Sequence, residues 1–314
     1  MGGDKAPSEI VAGARQAMEE GLSVVLVGQP DAIGDAGDIE VVPASEVIAM
    51  DDDPSLVRTK KDSSLVRTME LVRDGKACAA FSAGNTGAGM ASALLRLGRL
   101  DGVKRPAIAT PIPVPGATPT LLLDAGANAE CSAQWLVQFA QLGSAFSRVR
   151  FGIDNPRVGL LSIGEEATKG SPLVKDTHKL LKALPGINFI GNVEGRDILT
   201  DDVDVVVTDG FTGNVALKTL EGAMKFLIGK VFEAIMTNDE TKAAGNVLLP
   251  ALAPTADALD PDSTGGAALV GLKGLALIGH GSSSAKAVVN AVRIAHELAA
   301  ANVVDALGAS VRSA

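Results

Sequence analysis

Short runs of β-branched and leucine residues alternate with longer amphipathic segments along almost the whole chain of 314 residues. This alternation is typical of a mostly parallel sheet that is covered by helices on both faces. We therefore predict an α/β fold with a doubly wound, mostly parallel sheet. The predicted strands are residues 23–28, 39–43, 77–82, 107–110, 120–124, 157–163, 188–190 and 204–208, with one more near 274–278.

Amphipathic segments between these runs predict the helices, which are residues 8–20, 56–73, 132–151, 172–184, 214–236 and 284–307. Ser8, Ser132 and Ser171 stand where a hydroxyl group can cap the first turn of a helix. Pro172 follows Ser171 at a first helical position, where its missing N–H costs nothing. These residues predict where three of the helices begin.

Residues 243–262 differ from the rest because Pro250, Pro254 and Pro261 interrupt an apolar, leucine-containing segment. Proline removes a backbone N–H and disfavours a helix interior. We predict an apolar helix end followed by a loop. The whole chain then forms a single domain, from which residues of about 236–263 project.

Composition excludes several classes of protein. A hydrophobic content of 46% indicates a packed globular chain, and a net charge of −9 without any tyrosine disfavours nucleic-acid binding. Cys78 and Cys131 lie far apart with no paired histidines, so no zinc site is predicted. No apolar run approaches the roughly 20 residues of a membrane span, and no signal peptide precedes Lys5. We expect a cytoplasmic protein.

Four predicted strands end in loops that combine glycine with serine, threonine, asparagine or aspartate. Glycine lets the backbone approach a ligand, and the free N–H groups of a following helix favour an anion. Each loop alone is explained by packing, but four at one sheet edge indicate an anion site. The sequence has neither a GxGxxG nor a GxxxxGK[ST] nucleotide-binding motif. The loops are residues 82–87, 124–128, 164–171 and 208–214.

A resemblance becomes evident from the motifs MGGDKAP, SAGNTGA, LLLDAGAN, VGLLSIGEEATKGSP, NFIGNVEGRDI, DVVVTDGFTGNVALKTLEG and HGSS, taken in order. In this order and spacing the chain resembles the bacterial phosphate acyltransferases over residues 1–307. The resemblance implies a Rossmann-like α/β/α fold and a homodimer that binds peripherally to the inner face of the cell membrane. It also implies transfer of a fatty acyl group from acyl carrier protein to inorganic phosphate, and no cofactor.

The loops and the resemblance together assign a set of phosphate- and substrate-binding residues. These are Gly3, Asp4, Ser82, Gly84, Asn85, Thr86, Asp124, Asn128, Glu165, Gly170, Asp209, Gly213, Gly265, Gly266, Ser282 and Ser283. Among them, the three aspartates Asp4, Asp124 and Asp209 are expected chiefly to hold loops by accepting N–H bonds. No metal is expected, because lysine is assigned to neutralise phosphate.

Three residues are expected to act in catalysis. Lys169 binds phosphate and neutralises its charge, with help from Asn214; the alternative is a solvated lysine that precedes a helix. His280 orients phosphate or protonates the departing thiolate, unless its role is structural. Phosphate attacks without a protein nucleophile, so direct displacement is predicted.

Acyl carrier protein is acidic, so its binding requires local positive charge in a chain that is itself acidic. The densest basic cluster is Arg58, Lys60, Lys61 and Arg67, although such a run is usually a solvated helix face. Lys218 and Lys225, seven residues apart on one helix, are the second candidate.

The chain departs from the family pattern in three places. The family has a short apolar strand before its Met-Gly-Gly-Asp, so a strand upstream of Met1 is expected to add stability. Thr264 occupies the place of an aromatic residue. Residues 243–262 lack lysine, so membrane contact would depend on Val247, Leu248 and nearby leucines.

Two other functions are compatible with the sequence. A phosphotransacetylase that uses acyl-CoA would have similar loops and similar chemistry. A non-enzymatic membrane scaffold of lipid synthesis would need only the projecting segment. A decarboxylating dehydrogenase is disfavoured, since the sequence has no nicotinamide motif.

Overall fold

A computed structural model describes residues 1–312 of the chain, apart from the side chains at positions 258, 261 and 312. The strands are β1 Val25–Gly28, β2 Glu40–Pro43, β3 Ala79–Ser82, β4 Ala107–Ile112, β5 Thr120–Leu123, β6 Arg157–Leu161, β7 Asn188–Val193, β8 Val205–Val207, β9 Ala267–Val270 and β10 Leu275–Ile278. The helices are α1 Ser8–Glu19, α2 Pro30–Ile33, α3 Ser64–Arg73, α4 Thr86–Arg96, α5 Ala133–Phe151, α6 Pro172–Ala183, α7 Gly210–Ile235, α8 Asp239–Ala258, α9 Ala285–Ala300 and α10 Val303–Arg312. Three 3-10 turns span Pro54–Arg58, Gly195–Leu199 and Pro261–Thr264.

The main sheet has eight strands in the order β3-β10-β9-β4-β5-β8-β6-β7. The pairs β3/β10, β5/β8, β8/β6 and β6/β7 are parallel, whereas the pairs around β9 and β4 are antiparallel. Helices α5, α9 and α10 cover one face, where Phe139 and Leu298 are buried. Helices α3 and α4 cover the other face, around Met69 and Ala93. The predicted α/β class is confirmed.

Every predicted strand is present, and one strand was not predicted. β9 contains only Ala-Ala-Leu-Val between Gly265-Gly266 and Gly271. Four residues between glycines carry too little periodicity to indicate a strand. Both neighbours of β9 run antiparallel to it, so this strand interrupts the parallel pattern in the middle of the sheet.

Two predicted helices are each divided in the structure. The prediction of one helix over 56–73 was wrong, because the Asp62 carboxylate accepts bonds from Ser45 and the Glu46 carboxylate accepts the Asp62 N–H. These contacts draw residues 59–63 out of a helix. The predicted helix 284–307 bends by 60° between α9 and α10, at Asn302, whose φ is +53°.

The predicted loop within 243–262 is instead helical. α8 runs through both Pro250 and Pro254. Asn238 caps its first turn together with Thr241. Both prolines are exposed, so the backbone carbonyls that lose a helical N–H partner remain open to water. α7 and α8 together form a helical hairpin that projects from the sheet.

The three predicted serine caps differ in outcome. Ser171 Oγ accepts the Val174 N–H at 3.4 Å, as predicted. Ser132 precedes α5 but makes no capping bond through its side chain. Ser8 is the first residue of α1 and not its cap, because its hydroxyl donates to the Lys5 carbonyl.

Strands β1 and β2 form a separate two-stranded parallel sheet. Within residues 1–312, β1 pairs only with β2 and β3 pairs only with β10, so each has one edge without a strand partner. A cavity of about 440 Å³ lies between β1 and β3 and is lined by both. Met1 also lines it.

Among residues 1–312, no single helix combines the length and the apolar character that a membrane crossing requires. α9 and α10 pass such a test only as a bent pair.

Candidate active site

A large cavity of about 1330 Å³ is lined by β4, by the loops that follow β5 and β10, by the start of α4 and by the α7–α8 hairpin. Its polar lining comes from several separate elements. These residues are Lys5, Thr86, Thr110, Asn214, Lys218, Glu221, Lys225, Thr255, Asp257, Asp260, Asp262, Thr264, His280, Ser282 and Ser283. β3 and β10 run antiparallel to β5, β8 and β6, so the loops after these two sets of strands leave the sheet in opposite directions. The prediction of four loops at one sheet edge was therefore wrong. The cavity instead collects residues from both ends of the chain beside β4.

The N-terminal segment is held against two of the predicted loops. The Asp4 N–H donates to the Gly281 carbonyl at 2.9 Å. A Cβ placed on Gly3 would lie 2.6 Å from the Ala83 carbonyl oxygen, so only glycine allows this approach. This packing carries Lys5 to the cavity.

Asp124 holds the loop that follows β5. Its buried carboxylate accepts the N–H groups of Ile108, Gly126, Ala127 and Asn128 at 2.7–3.2 Å. Burial outweighs these bonds and raises the pKa of Asp124. The Asn128 side chain also donates to this carboxylate and to a backbone carbonyl. The predicted loop-holding role of Asp124 is confirmed, and Asn128 serves the same loop.

Asp209 caps α7. Its carboxylate accepts the Thr212 N–H and the Thr212 hydroxyl, both at 2.8 Å, which confirms the predicted loop-holding role. One turn later, Asn214 Nδ2 donates to the Ala125 carbonyl at 3.2 Å, and Asn214 lines the cavity. The first turn of α7 is thus fixed against the loop after β5.

Asn85 caps α4 and anchors a neighbouring segment. Its Oδ1 accepts the Ala88 N–H at 2.9 Å. Its Nδ2 donates to the carbonyls of Met50 and Asp52 at 3.0 and 2.9 Å. These bonds occupy the Asn85 amide, so Thr86 is the residue of this loop that reaches the cavity.

His280, Glu221 and Lys218 form a charged group at the polar end of the cavity. His280 Nε2 lies 3.4 Å from Glu221 Oε1, and Lys218 Nζ lies 2.9 Å from Glu221 Oε2. Burial by itself raises the pKa of Glu221, but the hydrogen bonds from His280 and Lys218 outweigh it and leave that pKa below its usual value. Glu221 therefore stays ionised at neutral pH.

Lys169 lies away from this group. It is exposed, and its backbone N–H donates to the Glu166 carbonyl within the loop 164–171. It does not line the cavity, in contrast to Lys5, Lys218 and Lys225. The role of Lys169 in phosphate binding stays a prediction.

The other predicted site residues divide into three groups. Gly265, Gly266, Ser282 and Ser283 line the large cavity, whereas Gly3, Ser82 and Ser283 line the smaller one. The remaining predictions, Asp4, Gly84, Asn85, Asp124, Asn128, Glu165, Gly170, Asp209 and Gly213, line neither cavity. Several of these support the site through the loop contacts described above.

Acidic side chains neutralise part of the first predicted carrier-protein patch. Lys60 pairs with Asp52 at 2.7 Å, and Arg67 lies 3.3 Å from Glu70. Arg58 and Lys61 are exposed. Lys218 and Lys225, the second candidate, lie at the cavity itself.

The cavity residues without a predicted role include Lys5, Thr110 and Glu221. Thr110 lies on β4, and its buried hydroxyl has no hydrogen-bond partner in the described part of the chain. Lys5 stands inside the MGGDKAP motif, which was a signal for it. Glu221 follows Lys218 by three residues on a predicted helix, and such spacing normally indicates only a surface ion pair.

Beyond the polar end, the cavity continues as an apolar groove between α7 and α8. Its lining includes Leu217, Leu220, Met224, Leu227, Ile228, Val231, Phe232, Leu249 and Leu252. The groove opens directly from the group of His280, Glu221 and Lys218, so a charged end and an apolar end share one space.

Sequence comparison identifies the family. A family described as "Fatty acid synthesis protein" matches residues 1–306. A phosphate acyltransferase of Nostoc sp. is 48% identical over 307 residues, which cover 95% of this chain and 90% of that protein. One from Heliobacterium modesticaldum is 46% identical, with 98% and 94% covered. The chain belongs to the phosphate acyltransferase family. It is therefore an acyltransferase of fatty acid synthesis.

Solved structures agree on the fold of this family member. A phosphotransacetylase from Streptococcus pyogenes aligns with a TM-score of 0.61 at 17% identity, covering 95% of this chain and 91% of that one. The EutD phosphotransacetylase from Staphylococcus aureus gives 0.60 at 18% identity, with 93% and 91% covered. At this level of identity the likeness shows the α/β fold alone.

Proposed function

We propose that this acyltransferase moves a fatty acyl group from acyl carrier protein to inorganic phosphate and releases an acyl phosphate. The observation that carries the proposal is the single cavity that joins charged and hydroxyl groups at one end to an apolar groove at the other. Such a cavity suits a substrate pair made of an anion and a long acyl chain.

The length of the groove supports a fatty acyl chain. Glu221 and Val231 are ten positions apart on α7, which corresponds to about 15 Å of helix. One leaflet of a bilayer has hydrocarbon of about 15 Å, half of the ~30 Å core, and this is the length of membrane acyl chains. A chain whose thioester lies beside Glu221 therefore extends to Val231.

The reaction needs no protein nucleophile. A phosphate oxygen attacks the thioester carbonyl carbon, the carbon–sulfur bond breaks, and the thiol leaves with one proton. Lys5, Lys218 and the first turn of α4 supply positive charge where phosphate enters, with Thr86 and Ser282 as hydroxyl donors.

The test is an acyl-phosphate assay with purified protein, phosphate and palmitoyl carrier protein, in which hydroxylamine traps the product. We expect acyl phosphate to form and free thiol to appear in equal amount. Palmitoyl-CoA at equal concentration is the second donor. Preference for the CoA donor would favour a phosphotransacetylase, and no product from either donor would refute the proposed reaction.

Carrier-protein binding is proposed for Lys218 and Lys225 because both line the cavity, with exposed Arg58 and Lys61 as an outer contact. Charge reversal at Lys225 should raise the KM for the acyl carrier protein and leave the KM for phosphate unchanged. The matched control is Lys230→Glu on the same helix, since Lys230 does not line the cavity.

A homodimer and peripheral membrane contact are proposed for the α7–α8 hairpin. Its exposed apolar residues include Phe226, Leu227, Phe232, Val247 and Leu248, a concentration typical of interaction surfaces. Sedimentation should give a dimer, and vesicles of anionic lipid should bind the wild type. A Val247→Glu/Leu248→Glu variant that still binds vesicles would refute the membrane contact.

A further inference from the structure

Glu221 is placed to control the imidazole of His280. Glu221 lies on α7, whereas His280 follows β10 on the opposite wall of the cavity. Their closest atoms, Oε1 and Nε2, are 3.4 Å apart. Hydrogen bonds of active sites are often this long before substrate binds. Within residues 1–312, His280 Nδ1 makes no hydrogen bond, so this ring nitrogen is available to a substrate.

We infer that Glu221 is a positioning residue that fixes His280 with Nε2–H toward α7 and presents Nδ1–H to the departing sulfur. This inference rests on the proposed function. A carboxylate that accepts one N–H of an imidazole sets its tautomer and stabilises its protonated form.

Every proton in this step is accounted for. Hydrogen phosphate attacks the thioester, and the carbon–sulfur bond breaks with its electron pair on sulfur. The His280 imidazolium gives its Nδ1 proton to that thiolate and becomes neutral. Its other proton stays on Nε2, hydrogen-bonded to the Glu221 carboxylate. The proton lost by hydrogen phosphate returns to His280 Nδ1. The net products are acyl phosphate and a free thiol.

Glu221 differs from the other carboxylates of this region because most of them are already paired or hydrogen-bonded to other groups. Lys5, Lys218 and Lys225 line the same cavity and oppose an imidazolium. The acidic groups from other elements are Asp257, Asp260 and Asp262, which line the cavity, and Asp4, which lies beside Gly281. Lys286 pairs with Asp257 and Asp260, and the Asp262 carboxylate accepts the Ser284 hydroxyl.

Asp4 is the competing carboxylate. Its Oδ2 lies 2.7 Å from a Cβ built on Gly281, next to His280 in the chain. Glu221, in contrast, lies 3.4 Å from the ring itself. Separate variants of Asp4 and Glu221 distinguish their effects on His280.

The experiment measures two quantities for the wild type and for Glu221→Gln. The first is the pH profile of kcat with acyl carrier protein as donor. The second is the pH midpoint of the His280 C2 proton by NMR. The chain has three histidines, His178, His280 and His296, so comparison with His280→Asn assigns the signal.

In Glu221→Gln we expect kcat to fall about tenfold with little change in the donor KM. The basic limb of the profile and the His280 midpoint should both move down by about one pH unit, because an opposite charge has been removed. In a His280→Asn background, Glu221→Gln should cause no further loss. Asp4→Asn should move the midpoint less.

Glu233→Gln is the matched control. Glu233 pairs with Lys230 at 2.6 Å on the same helix, with the same spacing as Glu221 and Lys218, but it does not line the cavity. Glu233→Gln should leave kcat, the basic limb of its pH profile and the His280 midpoint unchanged. Lys218→Gln should move the His280 midpoint upward, the opposite direction from Glu221→Gln, because it removes a positive charge.

An unchanged His280 midpoint in Glu221→Gln, or equal losses of kcat in Glu221→Gln and Glu233→Gln, would overturn the inference. If the wild type makes no acyl phosphate from any donor, the proposed function fails. The NMR midpoints then still decide whether Glu221 controls His280.

Discussion

Gly213 on α7 lies so close to Asp124 that a Cβ built on Gly213 would be 2.0 Å from the Asp124 carbonyl oxygen. No side chain fits that distance. The contact sets how deeply the first turn of α7 enters the loop after β5, and it thereby sets the position of Asn214 in the cavity.

Gly213→Ala should move α7 away from the loop after β5. We expect the free energy of unfolding to fall by about 1–3 kcal/mol, as for other overpacked sites. Since Asn214 moves with the helix, kcat/KM should fall by about tenfold or more. Denaturant unfolding and the acyl-phosphate assay measure the two effects.

Gly222→Ala on the same helix is the control. A Cβ at Gly222 would meet no atom within 4 Å, so alanine should stabilise the protein by about 0.5–1 kcal/mol. Equal effects of the two substitutions would mean that the Gly213 contact does not fix α7.

Asp204→Asn should weaken the link between β6 and β8. The Asp204 carboxylate, only 9% exposed, accepts the Arg157 N–H and two guanidinium bonds at 2.6–3.0 Å. Burial alone raises the pKa of Asp204, but the bonds from Arg157 outweigh it and leave that pKa below 3.8. We expect a loss of about 2 kcal/mol at pH 7, in the range for bonds to charged groups.

The sign of the pH dependence follows from the lowered pKa. The stabilisation is fully present above the unfolded value of 3.8 and is lost as the pH falls through the lower folded value. The difference in the free energy of unfolding between the wild type and Asp204→Asn should therefore disappear below pH 3.8. Asp201→Asn, at a carboxylate 74% exposed and 3.5 Å from Arg157, should cost less than about 0.5 kcal/mol. A constant gap from pH 7 to pH 2 would contradict this account.

Lys5→Met should raise the KM for phosphate at least tenfold, because Lys5 brings a positive charge into the cavity. Lys169→Met tests the residue that the sequence favoured. If Lys169 binds phosphate from its exposed loop, its KM effect will match or exceed that of Lys5. Lys175→Met, on the exposed side of α6, should leave the KM unchanged.

Ile228→Trp should shorten the acyl chains that the enzyme accepts, because Ile228 lines the groove about 10 Å along α7 from Glu221. The ratio of kcat/KM for sixteen-carbon over eight-carbon donors should fall about tenfold. Phe226→Trp, on an exposed side chain that does not line the groove, is the control. An unchanged ratio in Ile228→Trp would place the acyl chain elsewhere.

An apolar strand added before Met1 should raise Tm by several degrees. β1 and β3 each have an edge without a strand partner beside the 440 Å³ cavity, and Met1 lies at that cavity. An added strand pairs with both edges and buries apolar area. A glycine-serine extension of equal length should not raise Tm; if it does so equally, strand pairing is not the cause.

The sequence predicted elements whose hydrophobic pattern is local. Residues 120–124 and 204–208 were assigned as strands because a continuous apolar run of this length, with turn residues after it, leaves few alternatives. Asp124 and Asp209 were predicted to hold loops because a carboxylate just after a strand accepts the N–H groups of the next turn. Both roles depend on residues that are neighbours in the chain.

The elements that the sequence missed depend on distant contacts. β9 is too short to show a period, and β4 and β10 make it a strand. α8 continues through two prolines whose positions face water. Bonds to Ser45 and Glu46 end the helix predicted over 56–73.

The sequence by itself thus determined the α/β class, the loop-holding roles of Asp124 and Asp209, and the family, because these depend on neighbouring residues and on their order. The tertiary structure alone decided which charged groups share the cavity. Lys5 and Glu221 are 216 positions apart, and His280 is a further 59 positions away. Only the folded chain brings these three residues together, since no local sequence pattern indicates a contact between distant segments.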